Sequence, residues 1–181
     1  MKRLQGFTFI ELLIVLAIMS IVLLAIPNLY LQQSIETLRS AASEVRLTLE
    51  EAQTRAQSNA VASQCAGDAF TKYTNFLGSQ VVFFNSGGEH SINIEGSCTN
   101  GDFTYSSTPI TQNYKNITIT TPDVSTFDSW EVLFQKRSGL PSSTATVCVH
   151  SSIGGLTRSY IKIEVQVTGD IRQYEPSETC P

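Results

Sequence analysis

An apolar run near the N-terminus constrains this chain more than any other feature. From Phe7 to Ile26 nearly every residue is Leu, Ile, Val, Ala or Phe, and Glu11 is the only charged residue. About twenty helical residues span roughly 30 Å, which is the thickness of the hydrocarbon core of a bilayer. An ionisable side chain inside such a segment costs on the order of a few kcal/mol. Glu11 therefore requires a partner that offsets this cost.

Two roles suit an apolar segment of this kind, a cleaved secretory signal and a membrane anchor. The basic residues Lys2 and Arg3 precede it and are expected to stay on the cytoplasmic side. The run is longer than the apolar core of a usual signal peptide, and residues 25–30 offer no small-residue cleavage site. The pattern favours an anchor, although an anchor alone does not explain Glu11.

Composition limits the remaining chain to one modest domain and disfavours catalysis. The 181 residues carry a formal net charge of −4, which argues against a protein whose main partner is a phosphate backbone. Only two histidines occur, and no phosphate-binding loop, serine-hydrolase elbow or zinc-protease motif is present. We expect neither an enzyme nor a bound cofactor or metal, and we expect both histidines to be surface residues.

All four cysteines follow the apolar segment, at positions 65, 98, 148 and 180. An even number behind an export-type segment is typical of disulfides formed in an oxidising compartment. Four cysteines allow three pairings, and the sequence does not decide between them. Pairing neighbours, Cys65 with Cys98 and Cys148 with Cys180, is favoured because the second bridge would pin the C-terminal tail. A zinc site is the alternative, but no C-x-x-C spacing supports it.

The residues around Glu11 resemble a known processing site. The stretch from Gly6 to Val15 reads GFTFIELLIV and is similar to the N-terminus of type IV prepilins and pseudopilins. The resemblance implies that a prepilin peptidase cuts after Gly6 on the cytoplasmic side and methylates the new amine of Phe7. It further implies that Glu11 pairs with the N-terminal amine of its own or a neighbouring subunit as the filament assembles.

Beyond Pro27 an apolar stripe predicts a long amphipathic helix. Apolar residues recur at alternating steps of four and three, which places them on one helical face. Alanines dominate the C-terminal half of the stripe, which favours docking on a sheet over a coiled coil. Glu36 with Arg39 and Glu51 with Arg55 are spaced to meet on the polar face. The stripe comprises Leu31, Ile35, Leu38, Ala42, Val45, Leu49, Ala52 and Ala56.

After Gly67 the period changes to that of strands. Residues 161–167 alternate strictly, and residues 168–170 turn the chain toward a returning strand at 171–174. Serine- and threonine-rich stretches such as 106–109 are interpreted as spacers. The predicted fold is α+β, with a long N-terminal helix packed on one antiparallel sheet or two small ones. The expected division is a leader at 1–6, a transmembrane and filament-core helix at 7–30, an amphipathic helix at 31–63 and a β-rich periplasmic head at 64–181.

The layout also resembles one subset of the pilin family, the GspH/FimT/FimU-type minor pilins. The shared features are a long helix, a Gly-Leu-Pro turn at 139–141 before a strand at 147–149, and a terminal hairpin. This resemblance implies a minor subunit that helps to initiate or cap a pilus together with other minor and major pilins. It implies a bacterial inner-membrane protein with a periplasmic head that also reaches the filament or its tip. A minor pseudopilin of a type II secretion system is the alternative.

A third possibility is a DNA-binding competence pilin. One branch of this group binds DNA through Gly-Arg-x-Arg in the C-terminal hairpin, and the matching stretch here is 169–172. Asp170 replaces the first arginine, and Glu175 and Glu178 follow. Because phosphate contact requires local positive charge, Arg172 is interpreted as a solvated turn residue, and nucleic acid is a disfavoured partner.

Overall fold

The structure is a computed structural model. The structure describes residues 9–58, 65, 71–86, 89–99, 101–109, 116–122, 129–153 and 158–180. Within them one long helix precedes a short helix and eight strands. The bounds are α1 Phe9–Ser58, α2 Thr71–Asn75, β1 Phe76–Ser86, β2 Glu89–Cys98, β3 Phe103–Pro109, β4 Ile117–Thr120, β5 Ser129–Gln135, β6 Ala145–Ser151, β7 Tyr160–Val165 and β8 Ile171–Gln173.

The strands form two four-stranded sheets in which every pairing is antiparallel. Sheet 1 has the order β3-β2-β1-β5, and sheet 2 has the order β4-β6-β7-β8. The α+β prediction is confirmed, and the second of its two forms, a pair of small sheets, is the one observed. The terminal hairpin is also observed, with Ile163 opposite Gln173 and Val165 opposite Ile171.

The apolar stripe of α1 forms the contact between the helix and both sheets. Leu38, Val45 and Leu49 are fully buried among strand residues, as are the alanines at 42, 52 and 56. Small side chains let the helix approach the sheets closely, which is why alanines suit the C-terminal half of the stripe. The docking prediction is therefore confirmed. α1 ends at Ser58, and residues 59–63 of the predicted amphipathic helix lie outside the described residues.

Two elements were not expected from the sequence. Residues 106–109, interpreted as a spacer, belong to β3, which pairs with β2 at the edge of sheet 1. The interpretation was wrong because serine and threonine lack the apolar alternation used to recognise a buried strand, whereas an edge strand requires only main-chain pairing. Helix α2 has only five residues and no apolar stripe from which a helix could be predicted.

Two disulfides join neighbouring cysteines along the chain. Cys65 is bonded to Cys98 and Cys148 to Cys180, with Cα–Cα distances of 5.8 and 6.0 Å. The first bridge packs with Phe76 in a small apolar cluster. The second fastens the C-terminal tail to the central strand β6 of sheet 2.

A single glutamine of α1 ties the helix to turns of both sheets. The side-chain amide of Gln53 donates hydrogen bonds to the carbonyl oxygens of Gly139 and Gly169, at 3.2 and 2.9 Å. Gly139 follows β5 of sheet 1, and Gly169 lies between β7 and β8 of sheet 2. Both glycines have positive φ, at 64° and 90°, which non-glycine residues rarely adopt.

Replacing this glutamine is expected to destabilise the head. Gln53→Ala leaves two partly buried carbonyl oxygens without their donor, so the free energy of unfolding falls by about 2 kcal/mol. Urea denaturation of the full-length protein in detergent measures the loss. Gln57→Ala is the matched control, since Gln57 makes one exposed bond of 3.4 Å to the Ser138 carbonyl. Equal losses in the two variants would contradict a linking role for Gln53.

Candidate functional site

The N-terminal part of α1 projects from the head with its apolar side chains exposed. Consecutive residues of a helix are 100° apart, so this exposure covers every face of the helix. A helix that is apolar all round is stable only when other apolar matter surrounds it. The side chains that are at least half exposed are Phe9, Ile10, Leu12, Leu13, Ile14, Val15, Leu16, Ile18, Met19, Ile21, Val22 and Leu23.

Glu11 lies in the first turn of this exposed part of α1, with its side chain at the helix surface. A carboxylate near a helix N-terminus interacts favourably with the unpaired backbone N–H groups there. The proposed cleavage site between Gly6 and Phe7 lies outside the described residues. In the part of the chain that the structure describes, no helix meets the length and hydropathy expected of a membrane span.

The C-terminal hairpin contains the basic residues that would have to contact nucleic acid. Arg172 lies on β8 with its Nη2 group 3.0 Å from an oxygen of Asp170, and both side chains are 57% exposed. Lys162 lies on the neighbouring strand β7, and its Nζ is 3.9 Å from Glu164 Oε2. Each of these two cations therefore already has a carboxylate beside it: Asp170 immediately precedes β8, and Glu164 lies on β7 together with Lys162.

Along the hairpin and tail, residues 160–180, four acidic residues accompany two basic ones. The Tyr174 hydroxyl donates a 2.6 Å hydrogen bond to Glu164, and this bond raises the pKa of the phenol above its ordinary value. Glu175 and Glu178 follow in the tail, both exposed. A phosphate backbone binds where unpaired Lys and Arg side chains cluster. The charge of this surface gives no support to DNA binding through Arg172.

His150 was expected at the surface, but the structure places it partly buried on β6. Its ring stacks on Tyr160, with centroids 4.3 Å apart, and its Nδ1 lies 3.2 Å from the Thr118 hydroxyl. Burial lowers the pKa of His150 below its usual value. The expectation was wrong because its polar sequence context does not show that a neighbouring strand supplies an aromatic partner. The side chain of His90 lies outside the described residues.

This burial predicts a pH dependence of stability. Because the folded pKa is lowered, the unfolded chain binds a proton more readily than the folded one as the pH falls through about 6.5. Stability is therefore greatest above that pH and declines toward pH 5. Thermal melting at pH 7.5 and 5.0 checks this, with His150→Phe as the comparison because it keeps a ring beside Tyr160 but does not titrate. An equal drop in melting temperature in both proteins would contradict the assignment.

Comparison with known proteins identifies an N-terminal motif and a similar fold. Residues 1–27 match the family model of the prokaryotic N-terminal methylation motif. The fold is similar to the crystal structure of the type IV minor pilin FimU of Pseudomonas aeruginosa, with a TM-score of 0.50 and 15% identity over 79% of this chain and 96% of that chain. The chain carries this N-terminal motif and has the fold of a type IV pilin. No curated protein sequence matches it.

The N-terminal motif and the similar fold are separate findings. The methylation motif covers the segment around Gly6, Phe7 and Glu11, and the structural similarity establishes the fold of the pilin. Pilin-family proteins are structural subunits and not enzymes. They generally assemble with other pilins and are processed by a prepilin peptidase.

The sequence did not indicate which head residues meet beside α1. Arg39 of α1 lies 3.5 Å from Glu175 of the tail, although the two residues are 136 positions apart. The expected pairs Glu36–Arg39 and Glu51–Arg55 are both present on the helix, and Arg46–Glu50 is a third. A pair within one helix follows from spacing alone, whereas the contact with the tail depends on how sheet 2 packs against α1.

Proposed function

We propose that this pilin is a minor subunit that helps to initiate or cap a type IV pilus together with other minor and major pilins. The prepilin is cleaved between Gly6 and Phe7, and the amine of Phe7 is methylated. Residues 7–30 anchor the subunit in the inner membrane and later enter the filament core. The head, held by two disulfides, lies in the periplasm before assembly and on the filament afterwards.

The observation that carries this proposal is the exposed apolar part of α1 with Glu11 in its first turn. Fully burying a large aliphatic side chain contributes about 1.5–3 kcal/mol, and a dozen such side chains are exposed here. Lipid tails or the helices of neighbouring subunits provide the apolar surroundings. A carboxylate in those surroundings is tolerated when it is paired. The amine created by cleavage at Phe7 supplies the opposite charge.

Mass spectrometry of the protein from its native host tests the processing step. The expected N-terminal peptide begins at Phe7 and carries one additional methyl group. An intact leader in cells that contain an active prepilin peptidase would contradict the proposal. Gly6→Ala, which changes the residue before the cut, is expected to leave the leader attached and serves as the comparison.

A second measurement separates the pilus from the secretion alternative. A minor pilin is expected in pili sheared from the cell surface, and its deletion is expected to reduce the number of surface pili while secretion continues. Loss of protein secretion with normal piliation would instead favour a pseudopilin of a type II secretion system. Native co-purification with other pilins identifies the partners in either case.

A further inference from the structure

A groove separates α1 from the C-terminal tail on one side of the head. Its volume is about 370 Å³, and we refer to it as the α1–tail groove. Its helical wall and its tail wall come from parts of the chain more than 120 residues apart. The groove is lined by Arg39, Ser43 and Arg46 of α1, Ile161 of β7, and residues 173–176.

The groove runs beside a strand edge that has free main-chain groups. β8 is the last strand of sheet 2 in the described residues. The amide of Tyr174 donates to the Lys162 carbonyl, and the amide of Gln166 donates to the Asp170 carbonyl, both at 2.9 Å. In an antiparallel ladder the intervening residues point their N–H and C=O groups the other way. Gln173 therefore directs its main-chain groups away from β7, as a strand edge open to further pairing does.

Guanidinium groups face this edge from the helix. Arg46 uses its Nε atom in a 2.7 Å bond to Glu50, and its two Nη groups have no partner among the described residues. Arg39 contacts Glu36 at 3.0 Å and Glu175 at 3.5 Å. Both arginine side chains are nearly half exposed, at 48% and 46%. The helical wall thus offers donors that suit a carboxylate.

One carboxylate of the protein itself already lies in the α1–tail groove beside an arginine. Glu175 of the tail reaches Arg39 while its side chain remains 89% exposed, so the contact is loose and its contribution to stability is small. An exposed apolar side chain lies nearby, since Leu47, one turn beyond Ser43, is 60% exposed. Open strand edge, arginine donors and apolar surface together match a peptide with alternating apolar and acidic residues.

We propose that the α1–tail groove binds an extended, carboxylate-bearing segment of a neighbouring pilin subunit, which adds to sheet 2 beside β8. The proposal rests on the proposed function, because that function supplies the neighbouring subunits. Main-chain bonds to Gln173 align the segment, and its acidic side chains reach Arg46 and displace Glu175 from Arg39. The C-terminal tail then acts as a weak internal competitor for the site.

Peptide binding to the full-length mature protein in detergent tests the groove directly. The probe is a fluorescently labelled peptide of seven alternating valine and glutamate residues, compared with the same peptide carrying lysine instead of glutamate. We expect at least tenfold tighter binding of the glutamate peptide, weakened by salt. Slower hydrogen exchange at the amides of Ile171 and Gln173 is expected when this peptide is bound.

Four variants locate the binding. Arg46→Glu is expected to weaken binding at least tenfold, and Glu175→Gln is expected to tighten it several-fold by releasing Arg39. Gln173→Pro removes an outward N–H without removing a ladder bond, so it is expected to abolish binding with little change in melting temperature. Arg172→Glu is the matched control, because its side chain lies on the same strand but on the opposite face of the sheet. Equal binding of the two peptides, or binding unaffected by Arg46→Glu, would overturn the proposal.

A cellular experiment separates this proposal from the proposed function. Processed Arg46→Glu protein is expected at less than a tenth of the wild-type amount in sheared pili. If wild-type and variant protein are incorporated equally, the groove proposal is wrong while the pilin role stands. If wild-type protein is absent from pili although the peptides discriminate as expected, the pilin role fails and a neighbouring pilin is not the occupant, while the groove is still shown to bind an extended acidic peptide.

Discussion

Glu11→Ala is expected to leave membrane insertion intact and to reduce incorporation into the pilus at least tenfold. Removing a carboxylate from an apolar segment favours insertion, since the cost of placing it in lipid disappears. Assembly loses the partner of the N-terminal amine, and breaking one half of a buried ion pair costs about 3–5 kcal/mol. Immunoblots of membranes and of sheared pili measure the two effects separately.

Two further variants sharpen this experiment. Glu11→Gln keeps the length of the side chain and its hydrogen-bonding capacity but removes the charge, so it is expected to fail as Glu11→Ala does. Glu51→Ala removes a carboxylate from the exposed polar face of α1, where its partner is Arg55, and is expected to assemble normally. Wild-type incorporation of either Glu11 variant would refute charge pairing as the reason for the residue.

Removing the tail disulfide is expected to destabilise the head strongly. Cys148→Ser with Cys180→Ser opens a loop closed across a sequence separation of 32 residues, for which chain entropy predicts a loss of about 4 kcal/mol. The loss concentrates in sheet 2, where Tyr160 and Ser177 exchange main-chain bonds of 3.1 and 2.8 Å close to the bridge. Chemical denaturation of the full-length protein measures it.

The control for this prediction is the wild-type protein with a reducing agent present. It contains no new side chain and is expected to lose both bridges, so its stability should fall below that of the double variant. Hydrogen exchange is expected to show faster exchange at Tyr160 and Ser177 in the double variant than in the untreated wild type. Unchanged melting of Cys180→Ser alone would show that the tail bridge does not contribute to the fold.

Local pattern was sufficient to predict α1 and the strands β6, β7 and β8. The alternation at 161–167 predicted β7, and the turn at 168–170 predicted its hairpin with β8. The spacing of Leu38, Val45 and Leu49 led to a helix docked on sheets. These predictions succeed because burial on one face of an element imposes its own period on the sequence.

The missed features share a different physical origin. β3 is paired with β2 through its main chain, and its residues 106–109 show no alternation of apolar and polar residues. The stack of His150 on Tyr160 joins neighbouring strands whose register the sequence does not state. Where an element is stabilised by contacts with neighbouring elements and not by its own apolar face, its sequence does not predict those contacts.

The sequence by itself determined the N-terminal methylation motif, the docking face of α1 and the α+β class, because a motif and a burial period are properties of contiguous residues. The tertiary structure decided that there are two sheets, that Gln53 joins turns from both, and that Arg39 and Arg46 face the tail across a groove. Those contacts link residues 86 to 136 positions apart. Their geometry depends on how the sheets pack on the helix, which no local pattern of residues records.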